Sequence, residues 1–315
     1  MSGFSTNSTD HLTRSNLWST QIKDVLEEEL FALKYVDMIT DFPDGDTLNI
    51  PSLGQAEIHD YEAGQAITYT AMDTGNFTFT ITEYKASATY IENKFKQDSF
   101  YMGRLISSFV PKQARVIAEA METDVLKVGP DGQTASNLNA INGANHRFIA
   151  SGTDEVIAMK DFALAKYALR KANVPMTNLV AIVDPSVEYE LSTLTSTTYD
   201  SNPYWERIVK DGMSSGMRFF QTIYGFDVYV SDFLKTSVNE TIDSKTSAAG
   251  VANLFFSATS DVLPFVGNVR QSPKVDSEYN KDLQRDEYVT TARWGYKLYR
   301  PENLVTVITD TDQVS

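Results

Sequence analysis

The side chains that could do chemistry in this chain are few and lie in unrelated surroundings. The 315 residues contain no cysteine and only three histidines, His11, His59 and His146. The histidines show no paired spacing, so the sequence predicts neither a histidine metal site nor a histidine-based catalytic triad. The absence of cysteine excludes disulfides, thiolate zinc sites and cysteine nucleophiles. The glycine-rich motifs that bind nucleotides and the G-x-S-x-G motif are also absent.

The carboxylates give no better catalytic candidate. Asp154–Glu155 and Asp286–Glu287 are adjacent pairs, and side chains of neighbouring residues diverge on a helix or a strand. Such pairs are poor two-carboxylate catalytic sites. The acidic stretch 41–46 lacks the alternating ligands of an EF-hand and is interpreted as a turn rather than a cation site. The sequence therefore predicts no enzymatic activity, no cofactor and no metal. One alternative stays open: a hydrolase whose catalytic carboxylates come from distant segments that converge in the fold.

Charge and composition exclude several other classes of protein. The chain has 27 Lys and Arg against 42 Asp and Glu, a formal net charge of −15. Phosphate binding depends on basic residues, so neither sequence-specific nucleic-acid binding nor an anionic membrane surface is predicted. No run approaches 18 apolar residues, so no membrane span is expected. A hydrophobic content of 42% is enough for a sizeable core.

The first part of the chain combines a polar arm with amphipathic elements. Residues 1–16 are rich in Ser, Thr and Asn and predict a flexible arm. Apolar residues at helical spacing predict a short helix over 18–36. Phe77, Phe79 and Ile81 then alternate with threonines, which indicates a strand. We expect 67–70 to be its hairpin partner and 73–76 to be the turn between them.

Two interpretations of this hairpin remain open from the sequence. An isolated two-stranded hairpin is only marginally stable, so its apolar face must pack on something. That face either packs on its own domain or reaches a neighbouring subunit. On the second interpretation Tyr69, Phe77, Phe79 and Ile81 form assembly contacts.

The rest of the chain alternates helical and extended patterns. The expected helices cover 97–127, with a kink or break at Pro111, then 157–172, and a short one ending at 194. Strands are expected at 179–183, 223–230, 288–299 and 304–308, and irregular segments at 127–145 and 236–249. Several aromatic residues could suggest a sugar-binding platform, but core and interface packing is the favoured interpretation; they are Tyr204, Trp205, Phe219, Phe220, Trp294 and Tyr296.

The order of three motifs carries a resemblance. The first is a helix, then Asn173-Val174-Pro175, a strand ending in Val183-Asp184-Pro185, and Tyr189-Glu190-Leu191. The second is the stretch Ile223–Leu234, which contains Gly225-Phe226 and Ser231-Asp232. The third is Ala292–Lys297 followed by Arg300-Pro301-Glu302. In this order and spacing they resemble the major capsid proteins of tailed bacteriophages, over most of the chain after about residue 18.

The resemblance implies an α+β fold of the Hong-Kong-97 type. Its parts would be an N-terminal arm (1–50), an extended β-hairpin loop (51–95), a peripheral domain with a long spine helix (96–155 and 286–315) and an α/β axial domain (156–285). The implied function is a major head protein, a late structural protein that self-assembles into hexamers and pentamers of an icosahedral shell enclosing double-stranded DNA. The alternative function is a phage-associated surface or carbohydrate-binding module.

The resemblance also implies partners and a location. The partners would be copies of the chain itself, a portal protein at one vertex and, optionally, a decoration or cement protein. Because only a short arm precedes the folded region, a separate scaffolding protein is expected. The location would be the virion capsid, assembled in the host bacterial cytoplasm.

Overall fold

The computed structural model describes residues 30–40, 45, 47–53, 64, 74–98, 102–193 and 219–310. The helices are α1 (Asn93–Asp98), α2 (Met102–Gly132), α3 (Met159–Lys171) and α4 (Pro185–Thr193). The strands, numbered in chain order, are β1 (Val36–Met38), β2 (Thr47–Leu53), β3 (Thr74–Thr80), β4 (Glu83–Glu92), β5 (Ala140–Ile141), β6 (Ala144–Asn145), β7 (Arg147–Ile149), β8 (Leu179–Val183), β9 (Phe219–Ile223), β10 (Phe226–Val230), β11 (Val238–Ile242), β12 (Lys245–Ser257), β13 (Phe265–Asn280), β14 (Arg285–Leu298) and β15 (Val305–Asp310).

A seven-stranded mixed sheet separates two hydrophobic cores. Its strand order is β7-β15-β12-β8-β10-β9, with β11 paired to β12. All five residues of the central strand β8 are buried, as expected for a strand covered on both faces. Ala181 and Val183 of β8 face a core shared with α3 and α4. Val180 and Ile182 face the opposite core, which contains residues of α2 and of the second sheet.

The second sheet has four strands in the order β1-β13-β14-β4, and α2 packs on one face of it. Val125 and Leu126 of α2 are fully buried in the same core as Ala292 and Trp294 of β14. Strand β4 alternates between half-buried and exposed residues along its whole length. The face of the sheet that carries the exposed residues of β4, opposite α2, is called the outer face below.

Helix α2 is longer than the sequence pattern predicts. Helical structure continues across Pro111, so the expected break into two helices does not occur. It also continues to Gly132, into the segment expected to be irregular. A Cβ atom on Gly129 would lie 2.9 Å from Leu304, and one on Gly132 would lie 2.7 Å from Leu298. Because Gly129 and Gly132 have no side chain, the last turns of α2 can pack closely against Leu304 and Leu298.

Two expected elements are parts of hairpins. The predicted strand 223–230 contains all of β10, and its first residues are the end of β9 and the turn at Tyr224 and Gly225, with φ of 50° and 90°. The predicted loop 236–249 is a hairpin of β11 and β12 that turns at Asp243 and Ser244, with φ of 49° and 66°. Two successive positive φ values are the geometry of the tight turns that connect antiparallel strands.

Other expectations are confirmed. Helix α3, strand β8, helix α4 and strands β14 and β15 lie where the pattern predicts them. Strand β13 was not predicted. The arm 1–16 and most of the predicted helix 18–36 lie outside the described residues; Ala32–Tyr35, within its end, form a 3-10 helix. In the described part of the chain, no helix combines the length and apolarity needed to cross a membrane.

Candidate assembly site

Strands β2 and β3 form a two-stranded antiparallel ribbon with two unlike faces. Leu48 lies opposite Phe79 and Ile50 lies opposite Phe77, so both strands contribute to one apolar face. The other face is polar: Thr47 and Thr80 hydroxyls lie 3.4 Å apart, and Thr78 donates to Asn49 at 3.0 Å. Matching apolar residues across the two strands stabilise this pairing.

The pairing corrects the predicted hairpin. Residues 74–76 were expected to form a turn, but they are part of strand β3 and pair with 51–53. The predicted partner 67–70 lies outside the described residues. The ribbon therefore begins at Thr47, before the predicted start of the extended loop at residue 51. The pattern of β2 is obscured by Pro51, which is tolerated in strands at edges.

The ribbon rests on four residues of β13, β14 and the chain after β14, called the ribbon seat: Val266, Gly295, Lys297 and Tyr299. Phe79 is fully buried against Val266. The ring of Phe77 meets that of Tyr299 edge to face, with centroids 4.9 Å apart. A Cβ atom on Gly295 would lie 2.8 Å from Cα of Ile81 and 3.0 Å from the carbonyl oxygen of Thr80.

Because Gly295 has no side chain, the backbone of Thr80 and Ile81 can cross directly over the outer face of the sheet as the chain leaves the ribbon. Lys297 adds a polar contact to this apolar seat. Its Nζ donates to the carbonyl oxygen of Thr78 at 2.6 Å and lies 4.8 Å from the centroid of the Phe77 ring. The lysine side chain remains exposed.

The four predicted contact residues differ in how far the subunit itself buries them. Phe79 and Ile81 are 0% and 5% exposed within the subunit, so these side chains have almost no surface left for a neighbour. Their expected role in assembly contacts is corrected: they anchor the base of the ribbon to its own subunit. Phe77 is half-buried on Tyr299, and Tyr69 lies outside the described residues.

A second anchor holds the chain segment that precedes the ribbon. The buried carboxylate of Glu122 on α2 accepts hydrogen bonds from the backbone N–H groups of Phe31 and Ala32, at 2.8–2.9 Å. Burial raises the pKa of Glu122, and these N–H donors oppose that shift. The ring of Tyr35 packs on Phe256 of the seven-stranded sheet. Residues 31–35 therefore lie between α2 and that sheet.

Two polar clusters tie α2 to the sheets. Asp124 accepts hydrogen bonds from Lys85 of β4 at 2.6 Å and from the indole N–H of Trp294 at 3.0 Å. At the end of the helix, Arg147 has no exposed side-chain surface and pairs with Glu240 at 2.6 Å. Burial by itself would raise the pKa of Glu240, but the hydrogen bonds from Arg147 and the Ser136 N–H, with the charge of Arg147, hold it below its usual value.

The catalytic and sugar-binding candidates find no support in this geometry. Glu287 pairs with Arg285 at 2.7 Å, and Asp286 pairs with Lys96. Within the described ranges no group of three metal-ligating side chains comes together. Trp294 and Tyr296 are 0% and 8% exposed, so they are core residues and cannot stack on a sugar.

The remaining aromatic candidates add nothing to a platform. Tyr204 and Trp205 lie outside the described residues, and only the backbone of Phe219 and Phe220 is described, in strand β9. The sequence pattern did not mark Glu122, Gly295, Lys297 or Tyr299 as contact residues, although Gly295 and Lys297 lie within the third motif. A glycine inside a strand, as at 295, is the one local signal of a close backbone approach.

The whole chain was compared with known proteins. No protein-family model and no curated protein matches it. Solved structures do match: the capsid structure of cyanophage P-SCSP1u has a TM-score of 0.69 at 14% identity, over 95% of this chain and 93% of that one. A structure from Mycobacterium phage Che8 gives 0.67 at 16% identity, over 94% and 97%. The asymmetric unit of the bacteriophage PhiM1 mature capsid gives 0.65 at 10% identity, over 94% and 91%.

These likenesses extend over nearly the full length of both chains. The protein therefore has the α+β fold of phage capsid subunits. The fold predicted from the sequence motifs, of the Hong-Kong-97 type, is confirmed.

Proposed function

We propose that this chain is the major capsid protein of a tailed bacteriophage. In this role it assembles into the hexamers and pentamers of an icosahedral head that encloses double-stranded DNA. The observation that carries the proposal is the match over more than nine-tenths of both chains to solved phage capsids. The role is structural rather than enzymatic, and the location is the virion.

The predicted parts of the subunit are included in the proposal. The ribbon is the base of the extended loop, and α2 with the four-stranded sheet belongs to the peripheral domain. The axial domain contains α3, α4 and most of the seven-stranded sheet. The strand pairing differs from the predicted boundaries for two segments. Strand β13, within the predicted axial domain, pairs with β14, and β15, within the predicted peripheral domain, pairs with β12.

The proposed partners are further copies of the chain, a separate scaffolding protein, a portal protein at one vertex and, optionally, a decoration protein. Assembly would take place in the cytoplasm of the host bacterium. The strong acidity fits an inner shell surface that tolerates DNA without binding it tightly.

Electron microscopy of the protein, purified alone and after coexpression with the proposed scaffolding protein, tests this function. We expect closed icosahedral shells, and size-exclusion chromatography should show capsomers or larger assemblies. A protein that stays small under both conditions, without shells in micrographs, would contradict the proposal.

A further inference from the structure

Among the described residues, the ribbon contacts its subunit through the ribbon seat, and the hydrogen bond from Lys297 is a directional contact of this seat. One covalent link to the four-stranded sheet is the two-residue stretch between β3 and β4, and a second link is the chain between β1 and β2. Phe79 packs on Val266 in a non-directional apolar contact, and Phe77 meets Tyr299 edge to face. The bond from Lys297 Nζ to the carbonyl oxygen of Thr78, at 2.6 Å, fixes one point of β3 relative to the sheet.

Because this bond lies near the base of the ribbon, a small change there produces a large displacement of the far end. Thr78 is next to the buried Phe79, close to the base, while β2 and β3 each have seven residues. At about 3.3 Å per residue the ribbon is roughly 23 Å long. A tilt of roughly 10° at the base would therefore move its far end by about 4 Å, as much as the spacing between two paired strands.

We propose that Lys297 sets the angle at which the ribbon leaves the subunit, and through it the spacing between neighbouring copies in the shell. The claim about the ribbon angle stands on the subunit alone, and the claim about the spacing between copies rests on the proposed shell function. Lys297 is a positioning residue: it is exposed and contributes one hydrogen bond and one contact with a ring face. Its loss leaves the hydrophobic cores of the subunit intact.

The test compares three variants. Lys297→Met keeps an unbranched side chain but removes both the donor and the charge over the Phe77 ring, and Lys297→Arg keeps a positively charged donor. Lys166→Met is the matched control, because Lys166, which is half-buried, also donates a solvent-exposed hydrogen bond to a backbone carbonyl, that of Tyr224, at the same distance of 2.6 Å. That bond joins α3 to the β9–β10 turn and does not touch the ribbon.

The first measurement is hydrogen exchange of the free subunit. In Lys297→Met the backbone amides of β2 and β3 should exchange about three- to tenfold faster, the effect of losing one net hydrogen bond. The exchange elsewhere and the thermal unfolding midpoint should stay as in the wild type. Lys297→Arg should restore most of the protection, and Lys166→Met should leave the ribbon unchanged.

The second measurement is the diameter distribution of assembled shells in electron micrographs. Lys297→Met should give mixed diameters or open shells, while Lys297→Arg and Lys166→Met should give the wild-type diameter. Unchanged ribbon exchange in Lys297→Met would overturn the proposal at its first step. Faster exchange with a wild-type diameter distribution would overturn the link to shell spacing. If the wild type itself forms no shells, the proposed function fails, while the exchange result still decides the role of Lys297 in the ribbon.

Discussion

Single buried charges in this subunit join segments that are far apart in the chain. Glu122 binds backbone N–H groups of residues 31 and 32, about 90 positions earlier. Arg147 pairs with Glu240, 93 positions later, and also donates to the carbonyl oxygen of Pro130. No local spacing predicts such pairs, because the two partners are distant in sequence and meet only in the tertiary structure. Breaking a buried pair of this kind by removing one partner costs about 3–5 kcal/mol.

His146 makes the stability of the subunit depend on pH. Its side chain is buried, and burial lowers its pKa below the usual 6.5, more than its contacts with Ala144 and Glu302 raise it. The unfolded chain therefore takes up a proton at a higher pH than the folded chain does. Stability is complete above this range and falls as the pH decreases through about 6.5.

We expect the unfolding free energy of the wild-type subunit to decrease from pH 7.5 to 5.5, by at most about 1.4 kcal/mol per pH unit for this group. In His146→Gln the slope contributed by this residue should disappear. Denaturant unfolding at a series of pH values measures both slopes. Equal slopes for the wild type and the variant would show that His146 is not protonated on unfolding.

At the level of elements, the sequence predicts what local patterns determine. The five buried residues of β8 and the helix that ends before Asn173 and Pro175 were predictable, since apolar runs and proline act locally. Strand β13 was not, because most of its second half is exposed and polar, and that half is extended through its pairing with β14. The same holds for the ribbon: its alternation was visible, but its partner strand lies about 30 positions earlier, and Lys297 of its seat lies 219 positions after Thr78.

The ribbon strand β3 gives a prediction that separates anchoring from assembly. Phe79→Asp places a carboxylate where Phe79 has no exposed surface. The loss of apolar burial and the desolvation of the charge should destabilise the free subunit by about 3–5 kcal/mol. If the apolar face of β3 instead reached a neighbouring subunit, the second interpretation of the sequence, the variant would fold normally and fail only in assembly.

Asn76→Asp is the matched control for this experiment. It introduces the same charge on the same strand, at an exposed position on the opposite, polar face. Its unfolding free energy should stay within about 0.5 kcal/mol of the wild type. Urea unfolding of both free subunits measures the difference, and a Phe79→Asp subunit as stable as the control would mean that the apolar face of β3 is not held by its own subunit.

For the whole molecule, the two sheets and α2 form one body, and the net charge of −15 acts on it as a unit. Several surface charges are already paired within the subunit, such as Lys274 with Asp276 and Lys235 with Asp131. The excess of acidic over basic residues, 42 against 27, cannot be neutralised internally. Copies that meet in a shell therefore repel each other unless salt screens the charge.

The rate of shell formation should consequently rise with salt at low ionic strength. The screening length is about 30 Å at 0.01 M salt and about 10 Å at 0.1 M, so repulsion between adjacent subunits falls strongly across this range. Light scattering during assembly, at equal subunit concentration, should show faster growth at 0.1 M sodium chloride than at 0.01 M. Sucrose at matched osmolarity is the control, since it strengthens apolar burial without screening charge. Two outcomes would contradict this expectation: sucrose that accelerates assembly as much as salt does, or an equal rate at both salt concentrations. In either case repulsion between acidic subunits does not limit association. The contacts that close the shell must then be dominated by paired or apolar surfaces.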